Sequence, residues 1–129
     1  MKIRTEINQK KNVRVHIVSG QFDIDALFES LSEMYTSLPI NTEMNVLWDL
    51  RAAEGIASLA TNQLDKLIGL VGKTWGKKGK NKAALVVSRQ VDYGLARVYE
   101  QQLEMHSPSV VKVFKDIKKA VQWIDQEIH

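Results

Sequence analysis

The chain opens on an alternation of apolar and polar positions. Ile3, Thr5 and Ile7 interleave with Arg4, Glu6 and Asn8, and after a polar turn at residues 10–12 the odd positions Val13, Val15 and Ile17 alternate again. Successive side chains of a strand point to opposite faces, so this pattern predicts a hairpin with one buried face and places His16 on its polar side. From Ile24 the period changes. Leu27, Phe28, Leu31, Met34, Tyr35 and Leu38 follow helical spacing, Asp23 stands where a cap belongs, and Pro39 ends the run. Residues 44–50 (MNVLWDL) and 82–88 (KAALVVS) are short apolar runs of the kind found in strands covered on both faces. Between them, RAAEGIASLATN is a connecting segment of small residues without a period. A second helix, starting between Ser58 and Asn62, carries Leu67, Ile68, Val71 and Trp75. A third holds Leu95, Val98, Tyr99 and Leu103 and ends near residues 106–108. Residues 110–114 form a last strand, and Ile117, Ala120, Val121, Ile124 and Ile128 define a closing amphipathic helix.

The predicted order is therefore β-β-α-β-α-β-α-β-α. Right-handed strand–helix–strand crossovers make this an α/β fold: a mostly parallel sheet of about five strands, an antiparallel hairpin at its N-terminal edge, and about four helices. A chain of 129 residues with no linker, repeat or low-complexity tract reads as a single domain spanning 1–129.

Composition narrows the chemistry. Hydrophobic residues make up 44% and charged residues 26%, an ordinary globular balance. With no cysteine there is no disulfide, thiolate nucleophile or sulfur-ligated metal, and no window reaches the roughly 20 apolar residues of a bilayer span. A cytoplasmic location is the simplest expectation. The net charge of +3 permits attraction to phosphates without demanding it.

In open α/β sheets, ligands gather at the C-terminal ends of the strands. That rule selects Asp49, Arg51, Glu54, Ser58, Ser88, Arg89, Asp92 and Tyr93 as neighbours in space. Arg97, one turn beyond Tyr93, reaches the same end if its helix starts early. Arg89 and Arg97, beside a helix start near Asp92, suit a phosphate, a carboxylate or an acidic partner surface. The same charges also suit a structural network in which Asp49, Asp92 and the arginines neutralise one another, with Gly94 giving room for close helix packing. Tyr93 fits packing and ligand contact equally.

Several fragments together resemble the SpoIIAA-like or STAS-like proteins, the group named after an anti-sigma factor antagonist. They are WDLR from Trp48, DYGLAR from Asp92 followed by VYE, and VFKDIKKAVQWI from Val113, in this order after a hairpin, so that the resemblance covers nearly the whole chain. The branch most similar to this chain is largely without an assigned activity. The resemblance implies a non-catalytic interaction module. It also implies a phosphorylation switch at Ser58, because some members carry a phosphorylated serine about nine residues beyond a strand aspartate, and Ser58 stands at that distance from Asp49. Ala57 and Ala60 occupy the places of the flanking aspartate and glycine of that context.

Other chemistries find less support. His16, His106 and His129 are isolated from one another and from paired carboxylates, so no metal site and no cofactor are expected. There is no serine elbow and no histidine at a strand end, hence no expected catalytic nucleophile. Asp49 with Glu54 would form an acid/base pair for a small enzyme, although carboxylates flanking arginines are more economically salt-bridged. The loop at 72–82, GKTWGKKGKNK, lacks the GxxxxGK[ST] phosphate pattern. Its five lysines offer either a weak contact for acidic lipid headgroups or nucleic acid, or a solvated turn; confinement to one loop argues against nucleic acid. Phe28, Leu31, Met34 and Tyr35 form a stripe broad enough for a homodimer contact. The leading expectation is a STAS-like binding or regulatory module that recognises a small acidic or lipid-like ligand, or a protein partner, near Asp49, Arg51, Ser58, Arg89, Asp92, Tyr93 and Arg97.

Overall fold

The alternating N-terminal residues form the expected hairpin. β1 (Lys2–Asn8) and β2 (Val13–Gln21) run antiparallel with Ile3 opposite Val18 and Thr5 opposite His16, and Asn12, at φ 54°, turns the chain between them. Asparagine is among the few residues that adopt this left-handed backbone readily. β2 pairs in parallel with β3 (Asn45–Glu54), β3 with β4 (Lys82–Val86) and β4 with β5 (Val110–Phe114), giving the sheet order β1-β2-β3-β4-β5. The helices are α1 (Ile24–Ser37), α2 (Gln90–His106) and α3 (Ile117–Asp125).

The computed structural model describes residues 1–37, 44–56, 82–106 and 110–126. The helix expected to start between Ser58 and Asn62 and carry Leu67 to Trp75, and nearly all of the lysine loop, lie outside them, as do the side chains of Phe28, Leu31, Met34 and Tyr35. Three helices are present among the described residues.

Helix starts follow their sequence signals. The Asp23 carboxylate accepts the backbone N–H groups of Asp25 at 3.0 Å and Ala26 at 3.3 Å, and Asp116 accepts that of Lys118 at 2.8 Å, satisfying donors that an α-helix cannot pair internally. α1 and α2 cover one face of the sheet, where Ile24, Leu27 and Ala96 meet Val18, Val46, Trp48, Leu85 and Val113. Among the described residues α3 covers the other, with Ala120 and Ile124 against Leu47, Ala84 and Val86.

Three expectations are corrected. β2 is not half-exposed: Arg14 and His16, on the phase read as polar, are 1% and 0% exposed, because they lie on the face beneath the helices. His16 stacks on Trp48 of the neighbouring strand with ring centroids 4.3 Å apart, and its Nδ1 meets the Thr5 hydroxyl at 2.9 Å. Residues 51–54 are not a connecting segment but the continuation of β3. There the register shifts, with Ile17 opposite Asp49 but Ser19 opposite Ala52, so β3 carries one extra residue as a bulge. Lys82 does not belong to a solvated loop. It begins β4, is buried, and sends its ammonium to the Trp123 carbonyl at 2.7 Å and to the Gln126 carbonyl, at the C-terminal end of α3.

Candidate functional site

The C-terminal ends of β3 and β4 bring Asp49, Arg51 and Ser88 together. Asp49 is buried on the α3 face of the sheet, level with Ile17 and Val86 of the adjoining strands. Arg51 is two residues on and half-exposed, and donates from Nε to Oδ1 and from Nη2 to Oδ2, both at 2.8 Å, while its backbone N–H reaches Oδ1 at 3.2 Å. This is a bidentate fork closed within one strand. The hydrogen bonds from the Arg51 side chain hold the Asp49 carboxyl below its ordinary range, against the opposing effect of burial. A carboxylate so occupied stays ionised, with three of its roughly four acceptor positions taken by Arg51. Ser88 donates to the Arg51 carbonyl at 3.2 Å, tying the end of β4 to that of β3. Glu54 is exposed at the far end of β3, apart from this pair, and its carbonyl accepts the Phe22 N–H at 2.8 Å.

The start of α2 supplies a second group. Arg89 immediately precedes the helix, and its carbonyl accepts the Tyr93 N–H at 2.9 Å in the first turn. Its side chain is exposed and makes no hydrogen bond or ion pair among the described residues. Asp92 is buried in that same turn, where a negative charge is favoured by the helix dipole. Tyr93 packs partly against the core. Over its ring, at 4.8 Å from the centroid, lies the ammonium of Lys115, which also donates to the Gln90 side chain. Lys115 was missed in the sequence, although it follows the last strand directly and the strand-end rule that selects Arg89 selects it as well.

Arg97 is placed differently. It faces down the helix to Glu100, Nη1 to Oε1 at 3.5 Å, and the buried Glu100 in turn accepts the Val113 N–H at 3.2 Å. Gly94 does not serve close packing, since a Cβ there would meet nothing within 4 Å. It lies instead on an exposed stripe with Arg97, Val98 and Gln101, at helical spacing, and Val98 is 51% exposed. Ser58 lies outside the described residues.

The strand order carries a consequence for binding. A crevice for small ligands forms in open α/β sheets where the order reverses, and here it advances from β1 to β5 without reversal. Among the described residues the strand ends thus lack the reversal at which such a crevice forms, and we refer to them as the rim. A groove of about 650 Å³ lies elsewhere, between the hairpin turn and α3, floored by Val13, Val15, Leu47 and Ile124. Among the described residues no group of three or more metal-ligating side chains gathers, and no helix is long and apolar enough to cross a membrane.

No family model and no curated protein matches the chain. Solved structures do. An uncharacterised protein of the DUF3478 family with a SpoIIAA-like fold, from Shewanella loihica PV-4, is similar over 95% of this chain and 92% of its own, at 21% identity and a TM-score of 0.61. An anti-sigma factor antagonist from Mycobacterium paratuberculosis is similar over 97% of this chain and 94% of its own, at 18% identity and a TM-score of 0.61. The hairpin, the parallel strands and the helices thus make up a SpoIIAA/STAS-like fold, as the sequence fragments suggested.

Proposed function

We propose that the chain is a non-catalytic STAS-like regulatory module that recognises an acidic surface of a protein partner, at the rim formed by the strand ends and the start of α2. The observation that carries this reading is the pairing of Asp49 with Arg51 while Lys115 lies over Tyr93, one helical turn from the exposed Arg89. A neutralised carboxylate beside cationic side chains is equipped for recognition rather than proton transfer. Charge-assisted bonds from Arg89 and Arg51 would orient the partner, and the stripe of Gly94, Arg97 and Val98 would add contact area with little steric obstruction. The fold neighbour that is an anti-sigma factor antagonist supports a protein as the partner. A small acidic or lipid-like ligand is the second form of the same recognition. In the regulation implied by the family resemblance, phosphorylation of Ser58 would add a charge of about −1.5 to −2 and compete with an acidic partner for the arginines. A cytoplasmic setting fits such a module.

The test is native mass measurement of the protein and of its Arg89→Glu/Lys115→Glu variant, each purified gently from the same cells. A polypeptide retained by the wild type and lost from the variant supports the reading. A small-molecule mass lost in the same way assigns the rim to an acidic ligand instead. Equal retention by both proteins overturns the assignment of these residues.

A further inference from the structure

The opposite edge of the sheet has its own logic. β1 has β2 on one side and no strand on the other among the described residues, so its outward N–H and C=O groups form a pairing edge seven residues long. Arg4 and Glu6 project from it on the face opposite Ile3 and Thr5, with side chains 71% and 60% exposed, and Ile7 is 41% exposed. Arg4 and Glu6 pair with each other at 3.4 Å, an exposed pair that can exchange partners at little cost. Such charges commonly protect an edge from pairing. Their order here does something more specific.

We propose that β1 pairs antiparallel with β1 of a second copy of the chain, about a two-fold axis at Thr5, joining the two five-stranded sheets edge to edge. The register follows from the charges. With Thr5 opposite Thr5 of the second copy, each Arg4 lies opposite a Glu6 and each Ile3 opposite an Ile7, so the ion pair and the apolar pair are each made twice by symmetry. Moving the axis by one residue to Arg4 sets two guanidinium groups against each other, and moving it to Glu6 sets two carboxylates against each other. Like charges directly opposite destabilise a strand pair, so of the registers centred on Arg4, Thr5 and Glu6 only that on Thr5 avoids them. Side chains that alternate faces keep the partition: the ion pairs fall on the α3 side and Ile3, Thr5 and Ile7 on the α1 side. A single strand edge is smaller than a standard stable interface, so the dimer is a weak one that forms in the micromolar range or above and loosens with salt. This edge is the far side of the sheet from α2 and does not depend on the rim described above.

Sedimentation velocity from micromolar to near-millimolar protein tests the proposal. The wild type is expected to pass from monomer to dimer. Arg4→Glu and Glu6→Arg should each raise the dissociation constant at least tenfold, because each places like charges opposite one another, and the double exchange Arg4→Glu/Glu6→Arg should return it to within a few-fold of the wild type. Both positions are exposed, and far-UV circular dichroism verifies that the variants fold. Hydrogen exchange on the wild type gives an independent reading: amides of β1 should slow as concentration rises. A monomer at every concentration, a dimer insensitive to either single reversal, or a double exchange that fails to restore association would overturn the proposal.

Discussion

Glu100 accepts the backbone N–H of Val113 at 3.2 Å, so a carboxylate from α2 closes a hydrogen-bonding position on the free edge of β5. The bond does two things: it satisfies a donor that no strand meets among the described residues, and it fixes the helix against the strand that it precedes. Arg97 then balances the charge from the solvent side.

Replacing Glu100 by alanine leaves the Val113 N–H buried without an acceptor, at a cost of roughly 1–3 kcal/mol. Glu100→Gln keeps an acceptor oxygen and should cost less. Urea denaturation of the two variants beside the wild type checks the order, and equal stabilities would show the bond to be dispensable.

His16 makes folding sensitive to mild acid. Burial first, and the charge of Arg14 second, lower its pKa from 6.5 to about 3. The unfolded chain therefore binds a proton in a range where the folded one does not. Its contribution is full above about pH 6.5 and declines as the pH falls toward the folded value, by up to about 1.4 kcal/mol per pH unit. His16→Phe keeps a ring on Trp48 and removes the titration. Between pH 7 and 5, where carboxylates change little, urea midpoints should fall for the wild type and stay nearly level for the variant.

Two glycines should respond in opposite directions. Gly94 lies within α2 in open surroundings, so Gly94→Ala should stabilise by about 0.5–1 kcal/mol. Gly55 sits at φ 80°, and a Cβ there would collide with the Gln21 side chain. Gly55→Ala should therefore destabilise by about 1–2 kcal/mol from the backbone alone. Thermal melts of the two variants distinguish them directly, and a loss of stability in Gly94→Ala would mean that this face of α2 is covered.

Lys82 holds α3 by its C-terminal carbonyls and lies 5.3 Å from the Trp123 ring centroid. Lys82→Met retains most of the buried hydrocarbon and removes the donor, which should cost roughly 1–3 kcal/mol. Hydrogen exchange should show the added opening concentrated in α3. Uniformly faster exchange across the sheet would contradict the assignment of this lysine as an anchor for that helix.

Local signals in the sequence were legible where one residue decides the geometry. Asp23 marked the start of α1, and the apolar runs at 44–50 and 82–88 marked strands buried on both faces. His16 and Arg14 were illegible for a physical reason. Alternation shows which residues differ between two faces, but it cannot show that the second face is covered as well. The ring that shields His16 belongs to Trp48, far along the chain. The bulge in β3 was hidden likewise, since an extra residue is defined only against the partner strand. At the rim, Asp49 and Arg51 stood two residues apart on one strand and paired as their charges suggested, whereas Lys115 met Tyr93 only through the fold. The direction of Arg97 was set by Glu100, a residue whose role depends on a strand that follows it.

The division of labour between the helices has a consequence for biosynthesis. α1 and α2 lie on one face and interleave with the strands they cover, so that face gains its cover as the chain lengthens. Among the described residues, Leu47, Ala84 and Val86 take their cover from α3, which follows all five strands. A ribosome translating this chain therefore holds, until those residues emerge, a nascent sheet whose second surface is sticky, and it is in that interval that a chaperone would have something to hold.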